Sequence, residues 1–116
     1  MIAKFNRFHG YGALKGVYRR GSVVRGQTIS LKFEKKPNQK TFRLSVVVSK
    51  KVHKSAVVRN RIRRRIYEIV RIQTAQNLDG YDLVFTAFSE EVAVMEQDRL
   101  QEKIHSLLAK ATTNRG

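Results

Sequence analysis

The chain has 116 residues, no cysteine, and 24 lysines and arginines against 9 acidic residues, for a formal charge of +15. That length supports one domain with one modest core, here 1–116. The absence of cysteine excludes disulfide frameworks and thiolate metal sites, and no apolar run approaches the ~20 residues that cross a bilayer. The charge is one-sided. Residues 1–71 hold 20 basic and 2 acidic side chains, whereas residues 72–116 hold 4 and 7. A surface of that sign repels itself unless a polyanion neutralises it, and nucleic acid is the partner it fits.

In chain order, residues up to Gly21 are aromatic and basic (Phe5, Phe8, Tyr11 and Tyr18 among Arg7, Lys15, Arg19 and Arg20). The start, MIAKFNRFHGYG, lacks the apolar segment of a secretory signal, which points to the cytoplasm. Ala13, Leu14, Val17 and Tyr18 fit one face of a short helix that ends at Gly21 in the C′ position. Residues 28–34 alternate, with Ile29, Leu31 and Phe33 on one face and Ser30 and Lys32 on the other. A polar loop follows at 35–39. Residues 41–49 alternate again, with Phe42, Leu44, Val46 and Val48 opposite Arg43 and Ser45. These two strands are expected to form an antiparallel pair.

The main helix is predicted over 56–74, with Ser55 as its N-cap and Val58, Ile62, Ile66, Ile69 and Gln73 on one face. Asn77-Leu78-Asp79-Gly80 is a turn, and 81–88 is a third, apolar strand. Ser89 is placed as the cap of a last helix with Leu100, Ile104, Leu107, Leu108 and Ala111 as its apolar stripe. The tail 112–116 is expected to fray. Helix 56–74 joins two strands, so a β-α-β crossover is expected, right-handed by default.

The stretch from Lys50 to Arg65 carries most of the functional signal. At 100° per residue, with Ile62 inward, Asn60, Arg64 and Arg71 point outward, Arg61 and Arg63 flank them, and Arg59 and Arg65 lie nearer the core. Five arginines fall within seven residues, and Glu68 is the only acidic residue between positions 35 and 78. A guanidinium fork can donate two hydrogen bonds to one phosphate, and Asn60 can set register on a sugar or base edge. Protein-borne catalysis lacks its parts. His9, His53 and His105 have no helical partner, Asp79 and Asp82 bracket a turn, Glu90 and Glu91 open a helix, and there is no phosphate-cradling glycine loop. No catalytic residue and no protein metal site is assigned.

The run KSAVVRNRIRRRI (54–66) closely resembles the RNR signature helix of the bacterial ribonuclease P protein component. VYRRGSVV (17–24) resembles that family's N-terminal helix and following turn. LSVVVSKK (44–51) resembles the strand leading into the signature, and DLVFTA (82–87) the later central strand. The resemblance implies an α+β fold, an α/β sandwich with a mixed sheet of about four strands and three helices. It also implies a left-handed β-α-β crossover in place of the default hand, as in some ribosomal proteins.

It further implies a protein subunit that assists a catalytic RNA in removing the 5′ leader of precursor tRNA, with magnesium held mainly by the RNA. Carried onto this sequence, Lys50, Lys51, Lys54, Arg59, Asn60, Arg61, Arg63 and Arg64 would contact ribonuclease P RNA. Tyr18, Ser30, Lys32, Arg43, Ser45 and Tyr67 would contact the leader. No membrane or DNA partner is implied. Leu14, Lys32 and Tyr67 depart from the residues common in the family at their positions. A structural RNA-binding protein, such as a ribosomal protein or an RNA chaperone, is the competing reading.

Overall fold

The computed structural model describes residues 11–74 and 76–113, with side chains from residue 16 onward. Helix α1 (Tyr11–Arg20) is followed by strands β1 (Ser22–Val24), β2 (Ile29–Lys35) and β3 (Arg43–Val48). Helix α2 (Ala56–Ile72), strand β4 (Tyr81–Ala87), a 3-10 turn (Glu90–Ala93) and helix α3 (Gln97–Thr113) complete the order. The four strands form one mixed sheet in the order β1-β2-β4-β3.

The expected pairing of the two early strands is corrected. β2 and β3 are not neighbours, because β4 lies between them, antiparallel to β2 and parallel to β3. The reason lies in β4 itself. All of its residues but Thr86 are buried, so it needs a strand on each side and a layer on each face, as central strands do. The β3–α2–β4 segment is therefore a parallel crossover. The loop after β2 folds onto the turn before β4, where Lys36 N–H donates to Gly80 O at 2.7 Å and Gly80 N–H donates to Thr41 O at 3.2 Å. The three-residue strand β1 was absent from the expected elements. It is too short to establish an alternating pattern, and it pairs Val23 with Lys32.

One sheet face carries Ile29, Leu31, Phe33, Leu44, Val46, Val48, Leu83 and Phe85 against Ile62, Ile66 and Ile69 of α2 and Leu100, Ile104 and Leu108 of α3. This is the main core, with each large aliphatic side chain contributing about 1.5–3 kcal/mol on burial. Val70 joins it, while Val58 is only half-buried. The opposite face is partly covered by α1 through Val17, which is fully buried. Tyr18, expected on the same helical face, is instead 40% exposed. Ala13 and Leu14 lie outside the residues whose side chains are described, as do Phe5, Arg7, Phe8 and His9.

Other boundaries shift for local reasons. Gly21 follows α1 without left-handed geometry; the only positive φ among described residues is at Gly80. Gly21 is needed for close approach, since a Cβ there would lie 2.5 Å from Val17 O and 2.9 Å from Phe33 O. Ser89 caps the 3-10 turn, accepting from Glu91 N–H, and not α3, which starts eight residues later. At the other end, the expected fraying at 112 and 113 is replaced by helix. The Thr112 hydroxyl donates to Leu108 O at 3.0 Å and the Thr113 hydroxyl to Ala109 O at 2.8 Å. Residues 114–116 of that tail lie outside the described residues.

Candidate nucleic-acid interface

The loop that delivers α2 is fixed by its own short-range bonds. Val52 N–H donates to Ser49 O and Lys51 N–H to Ser49 Oγ. This turn leaves Lys50, Lys51 and Lys54 exposed. The His53 Nδ1 accepts from Ser55 N–H at 3.0 Å, and its Nε2 lies 3.8 Å from Glu90 Oε2. Ser55 Oγ in turn accepts from Val58 N–H, as expected of the N-cap. Three lysines and the donor-rich start of a helix thus occupy one end of α2, a site that favours anions.

Along α2 the arginines divide by what they touch. Arg59 folds back so that Nη1 donates to the His53 and Lys54 carbonyls, both at 3.0 Å, which ties the helix to its entry loop. Arg65 reaches the other way, donating to Val92 O at 2.7 Å, to Met95 O and to Gln97 Oε1. Burial, then the nearby Arg61 charge, lowers its pKa. Arg71 forms an ion pair with Glu68 at 2.8 Å, which holds that carboxyl well below the usual range. Arg63 donates to Asn60 Oδ1, one turn back.

Asn60, Arg61 and Arg64 are exposed, and no carboxylate among the described residues lies within ion-pairing distance of Arg59, Arg61, Arg63 or Arg64. One residue on this face was not expected. Val57, 67% exposed, shares the stripe with Arg61 and Arg64 at i, i+4 and i+7. An apolar residue on an otherwise cationic stripe, with no core to enter, was the available sign of it.

The other candidate residues, Tyr67 apart, belong to the α1 side of the sheet, where the register sets three rows. Val23, Lys32, Val84 and Ser45 form the first; Ser30, Thr86 and Val47 the second; Glu34, Asp82 and Arg43 the third. Tyr18, Ser30, Lys32, Arg43 and Ser45 are therefore brought to one face. Lys32 Nζ donates to Tyr18 O at 3.0 Å and sits 5.2 Å from the Tyr18 ring centroid. Ser30 is buried and Ser45 half-buried. Phe88, 55% exposed just past β4, ends this face beside Thr28, whose carbonyl accepts its N–H.

The third row is a closed network, not an open contact surface. Asp82 is fully buried, and Arg43 donates to it through Nε at 2.8 Å and Nη2 at 2.7 Å. Gln39 Nε2 adds a bond at 3.0 Å and Lys36 Nζ an ion pair at 3.2 Å. Burial pushes the Asp82 carboxyl up, but the bonds from Arg43, Gln39 and Lys36 outweigh it, and the net shift is downward. Arg43, expected among the leader contacts, thus has its fork committed to an internal carboxylate. Glu34 is likewise engaged by Arg20 at 2.9 Å. Tyr67 does not join the others at all. It packs half-buried against the core on the α2 side of the sheet.

Among the described residues no group of three or more His, Asp or Glu side chains could hold a metal ion, and no helix is long and apolar enough to cross a membrane. Comparison with known proteins agrees with the geometry. The family model described as Ribonuclease P matches residues 2–112. A ribonuclease P protein component from a Pseudanabaena species is 34% identical over 116 residues, covering 100% of this chain and 99% of that protein. One from Caldanaerobacter subterraneus is 37% identical over 97 residues, covering 83% and 80%. A solved structure, a mutant Staphylococcus aureus RNase P protein with defective mRNA degradation activity, superposes with a TM-score of 0.81. It is 25% identical and covers 94% of this chain and 90% of that one.

Proposed function

The chain belongs to the ribonuclease P protein family and is the protein subunit of that holoenzyme, and from that premise we propose how its two surfaces divide the work. The outward side of α2 docks on ribonuclease P RNA through Asn60, Arg61, Arg63 and Arg64, with Lys50, Lys51 and Lys54 adding phosphate contacts at its start. Arg59 contributes by holding the entry loop. The observation that carries this reading is the exposed Asn60–Arg61–Arg64 face, which meets no carboxylate among the described residues. Phosphate oxygens complete it with short, charge-assisted hydrogen bonds.

The α1 face of the sheet receives the single-stranded 5′ leader of precursor tRNA. Tyr18 supplies a stacking ring, Lys32 a cation, and Ser30 and Ser45 small polar rims. Arg43 acts there as a positioning residue, holding Asp82 and the end of the groove. Tyr67 is left out of this surface. The groove carries little free charge, so the leader is held by shape and stacking more than by ion pairing.

Magnesium is assigned to RNA phosphates. The described carboxylates nearest the groove, Asp82 and Glu34, are already engaged by Arg43, Lys36 and Arg20, and no step is routed through a metal on the protein. The setting we propose is the cytoplasm.

The test is precursor-tRNA cleavage by ribonuclease P RNA at low magnesium, with and without the chain. Stimulation is expected, and its absence contradicts the reading. Removing the ring with Tyr18→Ala is expected to raise KM for substrates with a leader by a factor equivalent to about 1–3 kcal/mol, and to leave a leaderless tRNA's affinity unchanged.

A further inference from the structure

At the sheet edge away from α2, the connection from β1 to β2 and the second half of α3 enclose an open cleft of about 360 Å³. Arg25, Gln27 and Thr28 line it from the turn, and Lys103, Ser106 and Lys110 from the helix, with Glu102 also on its wall. The three helix residues fall at i, i+3 and i+7, one face of α3, beside Leu107, which enters the core. The turn is pressed tightly onto the next strand. A Cβ on Gly26 would lie 2.4 Å from Ile29 O, so a side chain there would force the wall of the cleft apart.

Three cations face one carboxylate, and none of the three lies within ion-pairing distance of a carboxylate among the described residues. The Thr28 hydroxyl is buried and has no hydrogen-bond partner among the described residues. A small cleft with cations, a hydroxyl donor and a short apolar floor fits one phosphodiester and its sugar. It is too small and too charged for an apolar peptide face.

We propose that this cleft is a further RNA-backbone site, one that grips a strand other than the one on α2 and other than the 5′ leader on the α1 face. The proposal rests on the chain's reading as an RNA-binding subunit. β1 is one edge of the sheet and β3, against which α2 packs, is the other. The two cationic surfaces therefore lie at opposite edges, and a single copy can touch two separate stretches of RNA at once.

The chain has no cysteine, so a single introduced thiol is a unique tether for an iron chelate that cuts nearby RNA. In the complex with ribonuclease P RNA and precursor tRNA, Gln27→Cys is expected to cut a stretch distinct both from the one cut from Val57→Cys on α2 and from the 5′ leader. Cutting from Val57→Cys alone, of the same nucleotides from both, or of the leader alone from Gln27→Cys overturns the further site. Cutting from neither overturns the RNA reading as a whole. In parallel, the full-length Lys103→Ala/Lys110→Ala variant, with its melting temperature checked, should bind the RNA with a log–log salt slope shallower by about 1.4–1.8, at 0.7–0.9 per lost phosphate contact. An unchanged slope would mean that no phosphate, and at most an acidic protein, occupies the cleft, and it too overturns the proposal.

Discussion

Asp82 is one of two acidic residues joined across a single sheet row, and it has no solvent exposure. Its carboxylate accepts from Arg43 and Gln39 and pairs with Lys36, tying β3, the loop after β2 and β4 together. Asp82→Ala would strip all three donors of their acceptor. It is expected to destabilise by about 3 kcal/mol, the low end for breaking a buried pair because Arg43 keeps some access to water; chemical denaturation measures it. Because the folded carboxyl titrates below its unfolded value of about 3.9, its stabilising contribution is complete above that pH and fades as pH falls through the folded pKa. Wild type should therefore lose more stability than Asp82→Ala on acidification below about pH 4. Parallel pH profiles would contradict this. In sequence Asp82 read as a residue that brackets a turn and opens a strand, with no partner assigned to it. Nothing local marks it, since its partners are 39 and 43 residues away.

At the scale of an element, α2 shows how much of a site periodicity can carry. The spacing around Ile62 placed Asn60 and Arg64 outward and Arg59 and Arg65 toward the core edge, and the side chains are found so. What spacing could not show is which arginines are already occupied. Arg65 looks like its neighbours in sequence, yet it holds the carbonyls of Val92 and Met95 and so fastens the segment between β4 and α3 to α2. Arg65→Lys loses the fork and should lower stability by about 1.5–3 kcal/mol. Arg61→Ala with Arg64→Ala should leave it within about 0.5 kcal/mol. Thermal or denaturant melts of the two variants side by side give the comparison, and equal losses would erase the distinction. The sheet was less legible than the helix. Alternation correctly gave the faces of β2 and β3, but it carries no information on which strand lies beside which. The antiparallel pairing expected of them failed because β4, buried at every residue but Thr86, takes the central place.

Across the whole molecule, the division of charge in the sequence becomes a division of surface. The basic residues of 1–71 supply α2 and its entry loop, while most acidic residues lie beyond position 78. A formal charge of +15 opposes compaction through self-repulsion. The free protein should melt at higher temperature as ionic strength rises, and at higher temperature still when RNA is bound. A melting temperature that falls with salt would show that surface ion pairs, and not repulsion, dominate.

The most direct test of the account is the affinity of ribonuclease P RNA for the wild-type chain and for Arg61→Ala/Arg64→Ala, followed from 50 to 200 mM salt. The variant is expected to bind more weakly at every salt concentration, with a log–log slope shallower by about 1.4–1.8 for two lost phosphate contacts, and to melt like wild type. Equal affinity and equal slope would mean that the arginine face of α2 does not meet the RNA.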